Sequence, residues 1–144
     1  MKKILLLTLT IILIPLFIIG LTNRNEILNK IKYGFYSNST IKVKKSKTNE
    51  IESVPIEEYV IGVVAGEVPA SFDLEALKAQ AVASRTYALE HKQRSKTNYD
   101  VMDNTQNQVY INYEDMKNKW KNNYDENLNK ITNAVNSTKG EVLL

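Results

Sequence analysis

The sequence predicts an α+β protein: an N-terminal transmembrane helix, then a mixed domain of short strands and roughly three to four helices. Three observations carry this reading. A run without charges, from Ile4 to Leu21, follows Lys2 and Lys3; TIKVKKSKTNEIESV alternates as a hairpin does; and from Pro55 onward apolar residues recur at helical spacing.

The opening run is about 18 residues, near the lower limit for spanning a bilayer as a helix. A cleaved secretory signal is the alternative, but Gly20, Leu21, Thr22, Asn23 and Arg24 offer no small-x-small cleavage site, so an uncleaved anchor over residues 1–21 is expected. Lys2, Lys3 and the amino terminus favour an N-inside orientation, which predicts a single-pass protein of the cell membrane with everything after Leu21 on the extracytoplasmic face. Residues 22–39 are polar and rich in Asn and Lys, and read as a tether; the domain proper occupies residues 40–144.

Within that domain, strands are expected at Ile41–Lys44 and Ile51–Val54, joined by a turn at Ser46–Asn49, with Lys42, Lys44, Lys45 and Lys47 forming a solvated edge. Pro55 suits the first position of a helix running to about Ala65, with Glu57 and Glu58 well placed in its first turn. Asp73 is a candidate N-cap for a second helix from Leu74 to about Lys92, whose alanines at 76, 79, 81, 83 and 88 permit close backbone approach. The segment after Asn98 is rich in Tyr, Asn, Asp and Gln, and NQVYINY reads as a strand. Glu114 to about Ser137 reads as a helix in two pieces, the second with a stripe of Leu128, Ile131, Ala134 and Val135. Lys139 and Gly140 stop it, and Glu141–Leu144 begins a strand with no partner downstream, so the domain is expected to be truncated at its C-terminal end.

Composition narrows the functional classes. The 144 residues leave room for about one domain. The formal charge is +3, but without Lys2 and Lys3 it becomes 17 basic against 16 acidic residues, which removes the electrostatic basis for nucleic-acid binding. With no cysteine and one histidine, a disulfide framework is excluded and a zinc site is not expected.

One position breaks the core pattern. Ile56, Tyr59, Val60, Val63 and Val64 fall on one helical stripe, and the next position on it is Glu67, bracketed by Gly66 and Pro69. Apolar surroundings and the negative end of a helix dipole would both raise the pKa of an acid there. A salt bridge or cap at a helix end is the ordinary alternative.

The blocks GVVAGEVP, EALKAQAVA and RTYA, in that order within Glu57–Leu89, resemble the stage II sporulation protein D family, which includes the amidase-enhancer proteins. Asp100, Gln108-Val109-Tyr110, Ala134-Val135 and Thr138–Leu143 extend the resemblance over about Ile41 to Leu144. It implies a peptidoglycan lytic transglycosylase active in sporulation, on the outer face of the membrane. The implied substrate is the glycan strand, cut between N-acetylmuramic acid and N-acetylglucosamine to leave a 1,6-anhydro end, and the implied companions are a cell-wall amidase and other sporulation membrane proteins.

The family's catalytic glutamate falls on Glu67 and its RTYA arginine on Arg85. Arg85 could bind a sugar or brace Glu67; bracing would lower the glutamate's pKa and oppose an acid role, so substrate binding is the expectation and a structural ion pair the alternative. Lys78 and Gln80 are weaker substrate-binding candidates. Tyr87, Gln108 and Tyr110 could line a groove or close the core, and His91 reads as a surface residue compensating a helix dipole. Some family members carry zinc-holding cysteines near the segment Asp100–Tyr110, where this chain has Met102 and Asn107, so no metal or cofactor is expected. The competing class is a non-catalytic glycan-binding or amidase-enhancing module, or an inactive fragment.

Overall fold

A computed structural model describes Ile14 and residues 38–143. The expected membrane anchor and nearly all of the tether lie outside the described residues; among those described, no helix is long and apolar enough to cross a membrane. The chain divides into two units, Met1–Gly34 and Phe35–Leu144, and the elements below belong to the second.

Strands β1 (Thr40–Lys44) and β2 (Ile51–Pro55) form the expected hairpin, antiparallel with Thr40 opposite Pro55 and Lys44 opposite Ile51. Asn49 closes its turn at φ 62°, a conformation asparagine tolerates better than most residues. Alternation sends Ile41 and Val43 into the core and Lys42 to solvent. A third strand, β3 (Val101–Met102), joins β1 in parallel, giving the order β2-β1-β3.

That order corrects the lysine reading. β1 is the middle strand, so its lysines decorate a face rather than an edge, and Lys45 pairs with Glu52 at 2.9 Å. A two-residue strand carries no periodicity of its own. It is fixed instead by Asp100, whose carboxylate accepts from the Lys42 N–H at 2.9 Å while its own N–H donates to the Lys42 carbonyl at 2.8 Å.

Helix α1 (Ile56–Glu67) is the centre of the unit. Pro55 ends β2 (φ −53°, ψ 140°) rather than starting the helix, and the first helical N–H, of Ile56, donates to the Ser39 carbonyl at 2.8 Å. Ile56, Tyr59, Val60, Val63, Val64 and Ala65 are all buried, as expected of a helix covered on every side by the sheet and three other helices. It runs two residues past Ala65, because Gly66 continues the helix instead of breaking it.

Helix α2 (Leu74–Arg94) buries Leu77, Ala81, Ser84, Arg85 and Ala88, a single stripe. Of its five expected close-approach alanines, only Ala81 and Ala88 face the core; Ala76, Ala79 and Ala83 are exposed. Asp73 occupies the N-cap position but makes no side-chain capping bond. Helix α3 (Tyr113–Trp120) does have a cap, the Asn112 side chain accepting from the Asp115 N–H at 2.8 Å. A 3-10 turn (Lys121–Asn123) leads into α4 (Tyr124–Ser137), which buries Ile131, Ala134 and Val135 and keeps Leu128 half-buried.

Beyond Gly140 (φ 76°) the expected strand does not form among residues 141–143. Helix α2 takes its backbone groups instead: Arg85 Nη1 donates to the Glu141 carbonyl at 3.0 Å, and the Leu143 N–H donates to Thr86 Oγ1 at 2.9 Å.

Candidate active site

Glu67 is the last residue of α1, and it is exposed. The apolar enclosure expected of its place on the stripe is absent, because the core ends at Ala65 and the helix projects beyond it. The carboxylate is nevertheless held at both oxygens. Gln80 Nε2, on α2, donates to Oε2 at 2.7 Å, and the Val109 N–H donates to Oε1 at 3.3 Å. Gln80 is itself steadied by Ser84 Oγ, one turn along, at 3.3 Å.

Val109 belongs to a strap, residues 103–111, fastened across α1 by side chains in place of a sheet ladder. Asn107 accepts from the Met102 N–H at 2.8 Å and donates to the Tyr87 hydroxyl at 3.0 Å, while the Tyr59 hydroxyl donates to Gln108 Oε1 at 3.1 Å. Tyr110 stacks on Tyr59 with ring centroids 5.4 Å apart. The Ile111 N–H donates to the Gly62 carbonyl at 3.3 Å. These partners explain why NQVYINY, with the alternation of a strand, forms none: its polar groups are satisfied by α1 and α2.

The strap lies this close because Gly62 and Gly66 share one face of α1. A Cβ on Gly66 would come 2.2 Å from the Val109 carbonyl oxygen, which is backbone and cannot swing away. Gly66→Ala is therefore expected to cost about 1–3 kcal/mol, as overpacking does, and to detach Val109 from Glu67. Thermal melting tests the first effect and hydrogen exchange at the Val109 amide the second; an unchanged melting curve would show that the strap has room to move.

Burial pushes the Tyr59 phenol well above its ordinary 10.0, with the Glu67 charge adding to the effect, and burial raises Tyr110 likewise. Both must stay neutral in the fold, whereas in the unfolded chain they ionise above about pH 10. Their contribution to stability is complete below pH 10 and is lost as pH rises beyond it, at up to ~1.4 kcal/mol per pH unit for each ring. Alkaline titration should show tyrosinate absorbance from these two rings appearing together with loss of helical circular dichroism, and Tyr59→Phe should reduce the alkaline slope.

A shallow cleft of about 560 Å3 opens beside Glu67, lined among others by Ser71, Lys119, Trp120, Asn123 and Asn127. Lys119 Nζ donates to the Ala65 carbonyl at 2.7 Å, placing a cation at the C-terminal end of α1. The sequence reading gave these residues no part in the site; Trp120 is half-buried, packing against the core while it lines the cleft. A second hollow, of about 460 Å3, includes Lys45, Asp103, Val109, Tyr110 and Asp115.

Of the residues expected at the site, Glu67 and Gln80 meet directly, Gln108 and Tyr110 adjoin them through the strap, and Tyr87 supports its start. Lys78 stands apart, paired with Glu75 at 2.7 Å. His91 stacks on Tyr87 with centroids 4.1 Å apart. Arg85 is the main correction: it is fully buried and bound to Glu57 at 2.6 Å, with its other donors on Glu57, Glu141 and Val135, so it offers no surface to a sugar and takes the structural alternative. Among the described residues, no group of three or more His, Cys, Asp or Glu is placed to hold a metal.

Residues 44–144 match the family model SpoIID, described as stage II sporulation protein, and the chain belongs to that family. It is 42% identical over 109 residues to stage II sporulation protein D of Bacillus subtilis (strain 168), and 41% identical over the same length to the protein of that name from Bacillus amyloliquefaciens. Both matches cover 72% of this chain but 32% of the relative, so the matched region spans about a third of those proteins. It is also 45% identical over 82 residues to the amidase enhancer of Bacillus subtilis (strain 168), covering 57% of this chain and 9% of that protein.

Proposed function

We propose that this chain is a membrane-anchored, extracytoplasmic protein of sporulation that cleaves peptidoglycan glycan strands as a lytic transglycosylase, with Glu67 as its acid and base. The observation that carries the reading is that Glu67, held at both oxygens, is the single carboxylate among the described residues lining its cleft. Glycosidases that use water need two, one to protonate the leaving oxygen and one to act as nucleophile or to activate water. A transglycosylase can work with one.

In the proposed reaction, protonated Glu67 gives its proton to the oxygen joining N-acetylmuramic acid to N-acetylglucosamine, and the bond from that oxygen to the muramyl anomeric carbon breaks. The resulting carboxylate takes the proton of the muramyl 6-hydroxyl as its oxygen bonds to the anomeric carbon. The product is a 1,6-anhydro end, and Glu67 is protonated again. Gln80 and the Val109 N–H keep both carboxyl oxygens in place through the cycle, and each oxygen retains a lone pair for the proton.

The similarity to an amidase enhancer favours a second reading, in which the domain binds glycan and stimulates a cell-wall amidase without cutting. One experiment separates the two: incubate the full chain with peptidoglycan stripped of stem peptides, and separately with intact peptidoglycan plus amidase. Anhydro ends indicate the transglycosylase; new reducing ends would indicate hydrolysis; faster peptide release without either indicates an enhancer.

A further inference from the structure

The Val109 N–H meets Glu67 Oε1 at 3.3 Å, a long bond that depends on how the peptide between Gln108 and Val109 is turned. That peptide is planar, so its N–H follows the position of Gln108. Beneath Val109, α1 presents Gly66 and hence bare backbone. The aim of the N–H therefore falls to the ties on either side.

Two of those ties stand two residues away along the strap: Asn107 with the Tyr87 hydroxyl, and the Ile111 N–H with the Gly62 carbonyl. The tie next to Val109 is the Tyr59 hydroxyl, which donates to Gln108 Oε1 at 3.1 Å. Tyr59 and Gln108 are both buried, at 0% and 6% exposure. Tyr59 lies on α1 about two turns before Glu67, so the link leaves the helix, passes through the strap and returns to the same helix at its last residue.

Packing alone does not call for a polar pair there. A phenyl ring would stack on Tyr110 as the Tyr59 ring does, and two apolar side chains of matching shape would be about as stable as the bonded pair. What the hydrogen bond adds is direction.

We propose that Tyr59 and Gln108 are a positioning pair: the Tyr59 hydroxyl, through Gln108, aims the Val109 N–H at Glu67 Oε1 and so sets the rate of proton transfer without touching the sugar. The inference rests on the transglycosylase reading above. A pair that serves the fold alone makes activity follow stability. A positioning pair makes the two part.

The full chain is compared with Tyr59→Phe, Gln108→Met and the double variant, on soluble glycan strands stripped of stem peptides. Each single variant strands one buried polar group and should melt lower by roughly 4–8 °C. The double variant strands neither and should melt within about 3 °C of the parent. Its kcat for anhydro ends should nevertheless stay about 10- to 100-fold below the parent, no better than either single variant, with KM within about twofold, as expected of a misplaced acid. Hydrogen exchange at the Val109 amide should quicken in all three. A double variant with the parent's kcat, or one whose loss lies in KM, overturns the proposal and leaves the catalytic reading standing. If the parent itself releases no anhydro ends, the catalytic reading falls, and unchanged Val109 exchange in the double variant would then overturn the positioning as well.

Discussion

Glu67→Gln should reduce release of anhydro ends by about 10²–10⁴-fold, the usual worth of a positioned acid and base. The fold should survive. Glu67 is exposed and lies beyond the core, so the substitution removes no buried packing. It does rearrange two hydrogen bonds: two donors, Gln80 Nε2 and the Val109 N–H, face the two carboxyl oxygens, and a side-chain amide can accept from one while presenting its own N–H to the other. The cost is one exposed bond, about 0.5–1.5 kcal/mol. Activity loss with a nearly unchanged melting curve is the expected pair of results. Undiminished product from the Gln variant would remove Glu67 from the chemistry.

The largest effect on stability is expected from Arg85. Its guanidinium meets both oxygens of Glu57 and also the carbonyls of Val135 and Glu141, while Glu57 Oε1 accepts from the Gly140 N–H at 3.3 Å. One buried pair thus joins α1, α2, the end of α4 and the segment that follows. Arg85→Met leaves the Glu57 charge without its partner and should cost about 3–5 kcal/mol, a large share of the roughly 5–15 kcal/mol that holds a domain folded. Glu57→Leu should cost a similar amount. The double variant should lose clearly less than the sum, because neither charge is then stranded, though the orphaned carbonyls keep it below the parent. Denaturant unfolding of all four proteins checks this, and strictly additive losses would show that the two side chains act independently.

The contrast between these residues shows what the sequence made legible. The hairpin, α1, α2 and the broken final helix follow from alternation, helical stripes and Gly or Pro punctuation, and their boundaries agree within a few residues. Glu67 was legible as an exception to a stripe. Its setting was not, because Gln80 and Val109 reach it from 13 and 42 residues away. Arg85 was misjudged for a related reason: a charged residue on a helix reads as exposed until its partner is seen, and Glu57 lies 28 residues earlier in a turn where an acid already has a local explanation. Val101–Met102 was too short to show a period, and the strap has a strand's pattern with side-chain partners. Trp120, Lys119, Asn123 and Asn127 share no pattern at all. They meet because α3 and α4 break at Lys121.

The side-chain fastening of the strap bears on the order in which the protein becomes competent. The strap is tied to α1 and α2 by side chains and seats Tyr110 in the core, so its closure is coupled to the packing of α1. Its ties to Tyr59 and Glu67 also span 49 and 42 residues, so they close only after the local helices and hairpin have formed. The contacts that fix both oxygens of Glu67 would thus be completed late in folding, and would be lost together with the packing of Tyr110 on Tyr59.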